Sequence, residues 1–220
     1  MSVDLVNSDK LLTTTRGVRK RLDFEKTVER AVIEESMAVA LQAPSAGDIY
    51  PVEFVVVTDP DRRKTMGDIY CDAHLPYLDE LDLTALPGLT ADDLTKAKGH
   101  IDMIRWHTEN VYRAPFHVHV VGKGRYGTEP EQPDFQQASF YGCILPPAWS
   151  FMLALRARGV GSSWCTIHIQ EPFHTRTREV LGLPDDYSLG VFLPCGYYTG
   201  KDFKPAQRPA VAEILHWDKW

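Results

Sequence analysis

The stretch 141–169, YGCILPPAWSFMLALRARGVGSSWCTIHI, decides how the rest of the chain is read. Its first half is apolar on every side, with Pro146 and Pro147 inside it and charge arriving only at Arg156 and Arg158. A segment without a polar face is surrounded by protein. Gly159 and Gly161 stop it. The pattern predicts a core helix over Gln136–Arg158 and then a strand over Ser162–Ile169. A buried helix that leads into a strand needs a sheet to lie on.

Working outward, helical and strand signals alternate. On the N-terminal side, helices are predicted at Leu5–Thr15, Val28–Gln42 (ended by Pro44), Asp61–Tyr70 and Ala91–Tyr112. Strands are predicted at Glu53–Thr58, with three consecutive valines, and at Phe116–Val121. Beyond the core stretch come a helix at Pro172–Leu181 and a strand at Leu189–Cys195. Leu83–Leu89 and the glycine- and proline-rich segment Gly122–Pro133 read as loops. The fold class is therefore α+β, with helices covering a sheet. At 220 residues and 44% hydrophobic, one domain over 1–220 is the default.

Charge narrows the partners. A net charge of −6 argues against nucleic acid and anionic membrane, which require a broad basic face. No segment approaches the roughly 20 apolar residues of a membrane span. Met1–Lys10 carries Asp4 and Asp9 and lacks a signal-peptide core, so the expected location is cytoplasmic. Cys71, Cys143, Cys165 and Cys195 are widely spaced and read as reduced thiols. His117 and His119 share a strand face, but without a third ligand they read as core or groove histidines, and no metal site is expected. Trp106 and Tyr112 read as core aromatics. Tyr126 is either core or a lid residue.

Against this acidic background, Arg16, Arg19, Lys20 and Arg21 fall within six positions. Clustered guanidinium groups suit a small anion, because they grip phosphate oxygens through paired, charge-assisted hydrogen bonds. Two other segments share that character: the small-residue loop Ala43–Asp48 and the basic stretch Lys204–Pro209. Together they could surround a phosphorylated, planar ligand. No Ser-His-Asp or Cys-His arrangement stands out. The aromatic end, Trp217 to Trp220, needs a surface to lie on, and a second subunit would supply one.

The order and spacing of four blocks resemble the FMN-dependent nitroreductase family. They are TTRGVRKRLDF at 14–24, APSAGDIYPVEFVVVTD at 43–59, the opening stretch at 141–169, and LPCGYYTGKDFKPAQRP at 193–209. The resemblance implies a central, mostly antiparallel sheet flanked by helices, and an intertwined homodimer with two FMN sites at the subunit interface. Carried over by position, Arg16, Gly17 and Arg19 would hold the flavin phosphate and ribityl chain, and Arg208 would complete the clamp. Pro44, Ser45 and Ala46, with Asp48, would line one side of the flavin ring. Trp164, Cys165 and Thr166 would line the other, with an amide near Thr166 or Ile167 facing N5.

No side chain of this chain is then a catalytic residue, since flavin N5 carries the hydride. The implied activity takes NADH or NADPH as co-substrate and reduces an electron-poor small molecule: a nitroaromatic, a quinone or an activated alkene. A flavin carrier or sensor without NAD(P)H oxidase activity is the alternative. A dehalogenase-like or flavin-cleaving relative is a third reading. Five positions depart from the family pattern. Asp48 stands where asparagine is usual, Tyr50 and Val52 where glutamine and tryptophan are common, Gln207 where a basic residue is frequent, and Gly17 where serine is common.

Overall fold

A computed structural model describes residues 4–45, 52–85, 90–124, 133–201 and 203–220. In chain order, the elements are α1 (Leu5–Thr14), α2 (Arg30–Ala40), β1 (Val52–Val57), α3 (Pro60–Glu80), α4 (Ala91–Asn110), β2 (Phe116–Lys123), α5 (Pro133–Ala157), β3 (Val160–Ser162), α6 (Phe173–Leu181), β4 (Tyr187–Tyr197) and α7 (Val211–Ile214). Among the described residues the strands form one sheet of order β1-β2-β4-β3, and every pairing is antiparallel. The expected α+β fold with an antiparallel sheet is the fold observed.

Strand alternation sorts the core into two layers. Phe116, Val118 and Val120 of β2 join Val191, Leu193 and Cys195 of β4 on the face covered by α2 and α5. From α5, Ile144, Ala148, Phe151 and Leu155 meet them at helical spacing, all buried. Phe192 points to the opposite face and meets Tyr70 of α3, Val111 and Cys165. His117 and His119 share that second face. His119 stacks on Phe192 with centroids 4.7 Å apart, and His117 meets the same ring edge-on at 4.9 Å.

These histidines are core residues, as expected, and among the described residues no group of three potential ligands could hold a metal. Neither ring nitrogen of His119 has a hydrogen-bond partner among the described residues. Burial pushes the pKa of His119 well below the ordinary value and lowers those of His117 and His168 to about 3.

Several boundaries differ from expectation. α3 runs to Glu80 rather than Tyr70, straight through Pro76. Its start is strong, with the Asp59 side chain accepting from the Arg62 amide at 2.8 Å and Pro60 in the first turn. As expected, α5 continues through Pro146 and Pro147; its burial against the sheet outweighs the two backbone bonds that prolines cannot make. That continuity yields a helix, Asp134–Ala157, long and apolar enough to cross a membrane, contrary to the sequence reading. Here it is the core helix, with 50% of its apolar window buried.

The predicted third strand is the largest correction. Only Val160–Ser162 pairs as a strand. Cys165 then makes a two-way bridge to Phe192 at 3.0 and 2.9 Å, and Ile167–Ile169 turns into a 3-10 helix. Tyr112 is not core; it lies at the surface, 37% exposed. Trp106 is half-buried and stacks on Phe24 at 6.1 Å. Tyr126 lies outside the described residues.

One close contact carries a prediction. A Cβ on Gly161 would sit 2.8 Å from Val18 Cβ. Gly161→Ala is expected to cost roughly 1–3 kcal/mol, because both partners lie in a packed core. The measurement is the urea midpoint, and an unchanged value would show that Val18 moves freely.

Candidate functional site

Three segments far apart in sequence are stitched together beside β3 and β4. The Val18 amide donates to Ser162 O at 2.8 Å, Asp23 to Tyr197 O at 2.7 Å, and Thr199 to Arg21 O at 2.9 Å. The basic turn therefore lies against the end of the sheet, next to the segment leading to Cys165. Beside it opens a cleft of about 480 Å³. Arg16, Gly17, Arg19, Lys20, Arg21 and Lys204 line it, with Val18 and Phe203, and α4 adds His100 and Met103. Five of these residues carry permanent positive charge, and none carries a carboxylate. Such a lining in a chain of net charge −6 suits a small anion.

The cations divide by what holds them. Lys20 packs over the Trp106 ring at 5.6 Å. Arg21 donates through Nε to Thr199 O at 2.7 Å and lies over Phe203. Arg19 is half-buried, and its guanidinium folds back to 3.3 Å from where a Gly17 Cβ would stand. Gly17 thus leaves room for Arg19. Arg16 and Lys204 are exposed, and the Arg16 guanidinium donates to Lys204 O at 3.4 Å. Those two are the freest to meet a ligand.

Beneath the cleft lies a buried polar cluster. Ser163 Oγ is 2.9 Å from His107 Nε2, and Cys165 Sγ is 3.8 Å from the same nitrogen. Burial, helped by the Arg19 charge, holds the His107 pKa down at about 3. Burial raises the Cys165 thiol, outweighing its hydrogen bonds to Tyr70 and Ser163 and the opposing pull of Arg19. Cys165 is therefore a protonated, buried thiol, reduced as expected, although its neighbours are polar. The cluster anchors the chain just before Thr166, which is exposed. The 3-10 turn that follows leaves its first amides, Ile167 among them, without partners inside the turn.

The other expected site residues lie elsewhere. Trp164 is half-buried against the α5 core. Pro44 lines a different groove, with Leu11, Val39 and Leu153. Ser45 is exposed at the end of a described stretch. Ala46, Asp48 and Tyr50 lie outside the described residues. Arg208 is exposed and is not among the residues lining the basic cleft. Within one chain the structure gathers Arg16, Gly17 and Arg19 near Cys165 but brings neither Pro44 nor Arg208 to them. His100, Met103 and Phe203 were not foreseen. The i, i+3 spacing of His100 and Met103 on a helix was the available signal for the first two.

The sequence profile of the Nitroreductase family matches residues 12–197, and the chain belongs to that family. This places it among oxidoreductases. A protein of Archaeoglobus fulgidus provisionally named NADH dehydrogenase/NAD(P)H nitroreductase is 24% identical over 212 residues, covering 96% of this chain and 97% of that one. Two solved structures share the fold. An iodotyrosine deiodinase bound to FMN and 3-iodo-L-tyrosine superposes with a TM-score of 0.68 at 17% identity, covering 96% of this chain and 99% of its own. A variant of an FMN- and NADPH-dependent nitroreductase from Sphigopyxis sp. strain HMH gives 0.67 at 23%, covering 97% and 99%.

Proposed function

We propose that this protein is an FMN-dependent oxidoreductase that works as a homodimer in the cytoplasm. It takes reducing equivalents from NADH or NADPH and passes them, in a ping-pong cycle, to an electron-poor small molecule such as a nitroaromatic, a quinone or an activated alkene. The observation that carries this reading is the cleft lined, among the described residues, by five cations and no carboxylate, in a member of the Nitroreductase family. That lining fits a terminal phosphate dianion. When bound, FMN supplies the hydride chemistry at N5.

The chain's own residues bind and orient. Arg16, Arg19 and Lys204 hold the phosphate end, with Gly17 allowing close approach. The Ser163–Thr166 segment, braced by His107 and Tyr70, forms one wall, and the Ile167 amide is the donor presented to the ring. Pro44 lines a different groove of its own chain; a second copy supplies it to the cleft, together with Ser45 and Ala46. Exposed Val211, Ile214, Trp217 and Trp220 give the C-terminal segment an apolar surface suited to lie on that copy. Arg208, also exposed, completes the clamp from the same closing segment.

The purified protein, loaded with FMN, should be yellow. NADH or NADPH under argon should bleach it, and a quinone or nitroaromatic should restore the colour. A protein that stays colourless after soaking in FMN removes the reading. A yellow protein that neither nucleotide bleaches is a flavin carrier instead.

A further inference from the structure

Phe203 lies between two positive charges. The Arg21 guanidinium sits 4.4 Å from the ring centroid and the Arg156 guanidinium 4.2 Å, while Tyr198 meets the ring edge-on at 4.8 Å and 83°. Arg156 comes from the last turn of α5 and donates to the Tyr198 hydroxyl. Its Nε is buried without a hydrogen-bond partner among the described residues. No ion pair among the described residues includes Arg21 or Arg156. What attracts both cations is the electron-rich face of an aromatic ring.

This arrangement fixes the chain just where the cleft needs it. Lys204 follows Phe203 directly, and its carbonyl faces the Arg16 guanidinium. Gly200, at φ +80°, turns the backbone so that Arg21 can pass; a Cβ there would collide with the Arg21 guanidinium. Phe203 also packs on the small cluster of Val18 and Leu22 that backs the basic turn.

We infer that Phe203, held between Arg21 and Arg156, is a positioning residue that presets Lys204 and Arg16 for a phosphate, and so makes the site prefer FMN over riboflavin. This rests on the FMN reading above. The preference is a phosphate-specific readout, which a general packing role for the ring would not move.

Fluorescence titration with FMN and with riboflavin tests it on the wild type, Phe203→Leu, Phe203→Trp and Arg156→Gln. The wild type should favour FMN by about tenfold or more, the value of one charge-assisted phosphate contact. Phe203→Leu should cost FMN about tenfold and leave riboflavin within about twofold, and Phe203→Trp, which keeps an aromatic face, should hold FMN within about threefold. Arg156→Gln, outside the cleft lining, should shift FMN in the same direction as Phe203→Leu. Equal losses of both ligands in Phe203→Leu, an undiminished FMN preference there, or a Phe203→Trp as weak as Phe203→Leu each overturn the role of Phe203 alone. A wild type that binds neither ligand overturns the FMN reading itself, and the role of Phe203 with it.

Discussion

Arg16→Ala is expected to weaken FMN binding by roughly 10- to 100-fold while the unfolding midpoint stays within about 1 °C of wild type. A guanidinium–phosphate contact is worth about 1.5–3 kcal/mol, and each 1.4 kcal/mol is a factor of ten. Stability should not follow, because Arg16 is exposed and its hydrogen bond to Lys204 O is long, at 3.4 Å. Salt supplies a second readout: added salt should weaken the wild type more than the variant, since the variant has lost a screened charge pair. Arg208→Ala, measured beside it, should lose FMN affinity on a similar scale if Arg208 completes the clamp. FMN affinity unchanged in Arg16→Ala would remove this residue from the site.

The second large effect is acid lability. His107, His117 and His168 are buried and hold pKa values of about 3, below the ordinary 6.5. Burial is the first cause in each. Arg19, His74 and His117 add repulsion at His107, His174 does so at His168, and at His117 Arg63 lowers the value while the Val111 carbonyl opposes it. The unfolded chain therefore binds protons that the folded chain refuses. Stability is complete above about pH 6.5 and is lost as pH falls towards 3. Between pH 7.5 and 5.5 each group forfeits on the order of 1 kcal/mol, so the three together remove several kcal/mol.

His119, facing His117 and His168, adds to the loss in the same direction. His119→Phe keeps the ring against Phe192 and deletes two unpartnered nitrogens, so it should recover part of the acid stability and cost little at pH 7.5. Urea unfolding at the two pH values checks this. Matching midpoints for the wild type at both would mean that these histidines find protons, or water, in the folded state.

The apolar pattern was a good guide to buried elements and a poor one to irregular ones. α5, β1 and β2 announce themselves because their residues sit against the sheet whatever the local turn chemistry. The helix expected over Gln136–Arg158 does pass through Pro146 and Pro147, whereas α3 outruns its expected end at Tyr70 and passes Pro76, because packing decides where it stops. Ser162–Ile169 looked like one strand, but β4 offers partners only as far as Cys165, and beyond that point the chain is free to coil into a 3-10 turn. The basic turn was visible as a charge anomaly. Its partner Phe203 was not, because an aromatic residue gains meaning only when Arg21 and Arg156, remote in sequence, come within 4.4 and 4.2 Å of its ring.

The stitching of residues 18–23 to 162 and 197–199 has a consequence for how the molecule is made. The pairs span well over a hundred positions, and nothing nearer along the backbone can stand in for them. A nascent polypeptide emerging from the ribosome must hold its cationic turn without a home until β4 has been translated. Pocket formation is thus a terminal event in assembly, and a prematurely ended product would carry the arginines with nothing to arrange them.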